Sequence, residues 1–145
     1  MFGLGDLMKN IDLGDVLEKV GLSDKDKEEV KVQAADALKY RTSKEKVRGN
    51  EKVMTNLFST DENTPEANQV AKKLEGDLAH NLKTKSGMPE GIVDQIKSAV
   101  MQKVMSSFTG EAAKKGDKGG NGLLEMFTDG DMMDNIKSKL GGFFK

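Results

Sequence analysis

The chain has 145 residues, a length suited to one domain, with 36% hydrophobic and 32% charged residues. Its 23 Lys and Arg stand against 24 Asp and Glu, so the net charge of -1 provides no overall field toward nucleic acid or anionic lipid. Cysteine is absent, which excludes disulfides, thiolate nucleophiles and zinc-thiolate sites.

The opening MFGLGDLMKNIDLGDVLEKV has neither the basic n-region nor the uninterrupted apolar stretch of a signal peptide. No segment approaches the roughly 20 apolar residues that cross a bilayer, so a cytoplasmic chain without a transmembrane segment is expected. Leu4 to Val20 reads as a short amphipathic piece closed by Gly21, a natural left-handed cap. Ser23 with Asp26 opens the next helix, which carries Val30, Ala34, Ala37 and Leu38 at helical spacing. From Thr42 to Asn50 the apolar pattern thins and the charge turns basic, which predicts a bend or frayed helix before Val53, Met54, Leu57 and Phe58 resume the pattern.

Thr64 and Pro65 supply an N-cap and a first-turn proline for a helix with Ala67, Val70, Ala71, Leu74, Leu78 and Leu82 on a narrow stripe. Ser86 and Gly87 stop it. Pro89 then starts a helix to about residue 109, in which Ile92, Val93, Ile96, Ala99, Val100, Val104 and Phe108 make a broad apolar arc widened by Met101 and Met105. Such an arc places this helix centrally, with narrower-striped neighbours around it. Residues 111–122, EAAKKGDKGGNG, read as a flexible Gly/Lys linker, and 123–145 as short helices able to dock on the core formed by 1–110. No run has strand alternation, so the expected fold is an all-α single-domain bundle of five to seven helices.

The search for chemistry yields little. His80 is the only histidine and lies off the apolar stripe of its helix, as a solvated surface residue would. In DGDMMDN, Met133 and Asp134 fall where a calcium loop needs an oxygen ligand and a glycine, so Asp129 and Asp131 read as helix caps. No catalytic, cofactor or metal residues are assigned, and no enzyme is expected. Residues 64–108 have helix-turn-helix form, the basis of an alternative nucleic-acid-binding reading. Glu90 and Asp94 would face the phosphates there, which disfavours it. Nine methionines suit irregular core gaps or adaptable contact surfaces. Met101, Met105, Phe108, Phe143 and Phe144 are therefore the candidate surface for a protein partner or a second copy of the chain. Terminal apolar pieces without a polybasic face would attach to a membrane only weakly.

The segment LAHNLKTKSGMPEGIVDQIKSAVMQKVMSSF, followed by a Gly-rich linker and a Leu-Leu-containing helix, resembles the YidB-like bacterial domain-of-unknown-function proteins. The resemblance covers about half the chain. It implies a homeodomain-like, orthogonally packed all-helical arrangement with no established activity, and it transfers no catalytic residue. The expected function is a non-enzymatic helical protein that acts through protein contacts.

Overall fold

The computed structural model describes Ile11, residues 13–114, Gly116, Leu124 and Phe127. Among the described residues five helices have both ends defined: α1 Gly14–Leu17, continued by a 3-10 turn Glu18–Val20, then α2 Asp24–Val47, α3 Glu51–Phe58, α4 Pro65–Thr84 and α5 Glu90–Lys114. Among the described residues there is no strand, and the architecture is an all-α single-domain bundle consistent with orthogonal packing. No described helix is long and apolar enough to cross a membrane.

The helix starts are local chemistry. Ser23 accepts the Asp26 amide at 3.1 Å, and Thr64 accepts the Ala67 amide at 3.2 Å, so each hydroxyl satisfies a donor that its helix leaves free. Pro65 then occupies the first turn of α4, where its missing N–H is no loss. Two of the four described glycines at positive φ end the first elements. Gly21 ends the 3-10 segment at φ +71°, and Gly49 ends α2 at φ +83°. At Gly49 the Asn50 amide reaches back to the Glu45 carbonyl at 2.8 Å and the Gly49 amide to the Lys46 carbonyl at 3.0 Å, closing the last turn.

The helix α2 departs from the sequence expectation. It runs unbroken through residues 42–47, where a bend was predicted, and the chain turns only at Arg48–Asn50. The apolar pattern fades there because the inward face changes chemistry: Arg41, Thr42 and Glu45 are buried in place of further aliphatic residues. Acidic Asp24 and Asp26 in the first turn and basic Lys44 and Lys46 in the last complement the helix dipole at its two ends.

The helix α4 packs its stripe of Ala67, Val70, Leu74, Leu78 and Leu82 between α2 and α5, with α3 along its start. The helix α5 makes contact with each of the other four helices, which accounts for the width of its apolar arc. Val93, Ile96, Val100, Met101, Val104 and Phe108 are buried on that arc, while Ala99 is exposed on the outer side. The helix also extends beyond the predicted start of the linker at 111. Glu111, Ala112, Ala113 and Lys114 are good helix formers and continue it to the turn at Gly116, φ +95°. Beyond it, Phe127 is fully buried, its ring 5.5 Å from both Phe58 and Phe108, so it joins the ends of α3 and α5 in one aromatic cluster.

Candidate interaction surface

Between α2 and α4 the packing is polar along one edge. Gln33 donates to Glu29 at 2.9 Å, and the Ser86 hydroxyl donates to the same carboxylate at 3.0 Å. One turn on, Asn81 donates to the Gln33 carbonyl at 3.3 Å and to Asp36 at 3.1 Å, while Lys85 also holds Asp36, at 2.6 Å. Next comes a two-pronged ion pair in which Arg41 donates from Nε and Nη2 to the two oxygens of Asp77, at 2.8 and 2.9 Å. The ladder ends at Glu45, only 2% exposed, which accepts from Asn50 at 2.9 Å, Arg48 at 3.3 Å and Arg41 at 3.4 Å.

These charges are held by their partners. The hydrogen bonds to Asp77 raise Arg41 above the ordinary guanidinium value, outweighing the burial that lowers it. Burial alone pushes the Glu45 carboxyl up. The hydrogen bonds from Asn50 and Arg41, with the positive charges of Lys73 and Arg48, overcome that and hold it below the ordinary value. An ion-pair seam of this kind adds little net stability over an apolar one, but removing one partner leaves the other charge buried and uncompensated.

Outside the seam, the outer face of α2 carries Tyr40 and Val47, seven residues and thus two turns apart on one side of the helix. Among the described residues these are the exposed large hydrophobic side chains, Tyr40 at 52% and Val47 at 89%. The Tyr40 ring is held by the seam: the Arg41 guanidinium carbon lies 5.5 Å from its centroid and the Lys44 ammonium 5.4 Å. Lys44 also donates to the Tyr40 hydroxyl at 3.1 Å. Two shallow hollows, of about 600 and about 550 Å³, flank the ring and share Asp36, Tyr40 and Lys85.

The residues singled out from the sequence are dispersed. Phe108 is fully buried against Phe127, and Met101 is buried at 2% exposure, so both are taken up by this chain's own core. Met105 is partly buried and lines, with Met101, Leu57 and Ala71, an open groove of about 590 Å³ between α4 and α5. Phe143 and Phe144 lie outside the described residues. His80 is exposed beside the smaller of the two hollows on α2. Residues 64–108 form α4, a turn through Gly87 and α5, and the exposed carboxylates Glu90, in the first turn of α5, and Asp94, in its second, pair with Lys83 at 3.5 Å and Lys97 at 3.7 Å. Among the described residues no cluster of His, Asp or Glu is arranged to hold a metal ion.

The Tyr40–Val47 face was missed because Val47 falls in the stretch expected to fray. Its signal was legible: once the helix is carried through to Val47, the chain's single tyrosine and a valine share the face opposite Leu38 and Thr42. Comparison with protein-family models, with curated proteins and with solved structures finds no match.

Proposed function

We propose that this chain is a non-enzymatic cytoplasmic helical protein that works through protein–protein contacts, with the Tyr40–Val47 face of α2 as its contact surface. One observation supports this above the rest. A tyrosine and a valine stand exposed two turns apart on a helix whose other large apolar groups are buried. Single exposed apolar residues are ordinary on protein surfaces, but here the two are aligned and the aromatic one is already held in place by Arg41 and Lys44. A ring fixed before binding loses little conformational freedom when a partner covers it, which is the property of an interface anchor. The YidB-like resemblance of residues 78–108 belongs to this reading and brings no activity with it.

A photo-crosslinking amino acid placed at Tyr40 or at Val47, with exposed Gln69 on α4 as the control position, tests the reading in cells. Discrete protein adducts are expected from the two α2 positions and not from the control. An adduct at twice the chain's own mass identifies a second copy as the partner. Equal adduct formation at all three positions, or none, overturns the reading.

A further inference from the structure

The charges around Tyr40 and Val47 are unequally satisfied. The carboxylates of the seam beside this face are engaged: Asp36 by Asn81 and Lys85, Asp77 by Arg41, Glu45 by Asn50, Arg48 and Arg41. Among the described residues, Lys39, Lys44 and Lys46 have no carboxylate within 4.0 Å. Viewed down α2 at 100° per residue, Lys44 borders the Tyr40–Val47 stripe on one side; on the other come Asp36, already held by Lys85, and Ser43, and then Lys39 and Lys46 about a quarter turn or more from the stripe. A chain that is slightly acidic as a whole thus presents a local face with an apolar stripe between basic edges.

From this we propose that the face docks an acidic peptide segment of a partner protein. An apolar or aromatic side chain packs over Tyr40 and Val47, and carboxylates on its flanks meet Lys39, Lys44 and Lys46. This rests on the contact surface proposed above and adds the chemistry of the partner. Charge complementarity across an apolar centre sets both the orientation and the selectivity of such a contact. Nucleic acid fits less well. The stripe offers a single aromatic ring, and its far end is Val47, which gives a second base no aromatic face to stack on.

The test is fluorescence anisotropy on the full chain with three labelled probes. The first is an amphipathic peptide bearing Leu and Trp on one helical face and Glu and Asp elsewhere; the second is its twin with Gln and Asn in place of the acids; the third is an oligouridylate of similar length. The acidic peptide is expected to bind about tenfold or more tighter than its amide twin, and to weaken as salt rises from about 0.05 to about 0.5 M. Tyr40→Ala is expected to weaken it roughly tenfold. The combined change Lys39→Glu, Lys44→Glu and Lys46→Glu should erase the preference for the acidic probe, with circular dichroism confirming that each variant remains helical.

Equal binding of both peptides, still weakened by Tyr40→Ala, overturns the acidic partner while leaving the contact surface standing. Binding of neither peptide, or peptide binding unchanged by Tyr40→Ala, overturns the peptide site. Tighter binding of the oligouridylate, lost in Tyr40→Ala, overturns it in favour of nucleic acid.

Discussion

Arg41 on α2 and Asp77 on α4 are 36 residues apart in the chain, yet they meet in a two-pronged contact at 2.8 and 2.9 Å that fixes one helix against the other. Arg41 continues the buried face of Ala34, Ala37 and Leu38, where a charge rather than an aliphatic side chain points inward. The pair stands with Glu45 on a buried polar edge whose outer neighbour is Tyr40, so the guanidinium that joins the two helices also lies against the ring of the proposed contact face.

Removing one member of the pair should cost more than removing both. Asp77→Ala leaves the Arg41 guanidinium short of its main acceptor and is expected to destabilise the fold by about 2–4 kcal/mol. The double change Arg41→Met and Asp77→Leu should recover at least half of that loss, because Arg41 and Asp77 go together and Glu45 keeps its bonds from Asn50 and Arg48. Urea unfolding of the two single variants and the double variant measures the coupling directly. Additive losses would show that the pair does not act as a unit.

Glu45 should make the fold sensitive to acid. Its carboxyl is held below the ordinary glutamate value of 4.5 in the folded chain, so the native state binds its proton less readily than the unfolded state does. The stabilisation is therefore fully present above that ordinary value and is lost as pH falls through the lower folded value. Glu45→Gln should unfold at lower urea than the parent at neutral pH and lose less further stability on acidification. Unfolding midpoints at several pH values from neutral down to about 3 check both slopes.

Thr42 is fully buried, and its hydroxyl has no hydrogen-bond partner among the described residues. Thr42→Val has nearly the same shape and removes an unsatisfied polar group, so it should stabilise the fold by about 1 kcal/mol. Thermal and urea unfolding read the sign. A loss of stability would show that the hydroxyl is satisfied in solution.

Phe127 joins residues far apart in the chain through its contacts with Phe58 and Phe108. Phe127→Ala should cost about 3 kcal/mol through lost burial and the cavity left between the two remaining rings. Phe127→Leu refills most of that space and should lose about half as much or less. Chemical unfolding of both variants tests this, and a Phe127→Ala variant as stable as the parent would show that the ring contributes nothing to the core.

Helix identity and most helix ends in this chain are readable from short stretches of sequence. The signals at Gly21, Ser23, Thr64, Pro65, Gly87 and Pro89 act through their own backbone or the amides three residues on, so they need no distant partner. The stripes of α4 and α5 were legible for a similar reason, since aliphatic residues at helical spacing bury together whatever covers them. Only the tertiary structure decided that residues 42–47 continue α2, that Met101 on the flank of the α5 arc is buried, and that Tyr40 and Val47 stay outside. A charged residue is buried when the matching charge arrives from elsewhere in the fold, and hydrophobic patterning carries no record of that arrival.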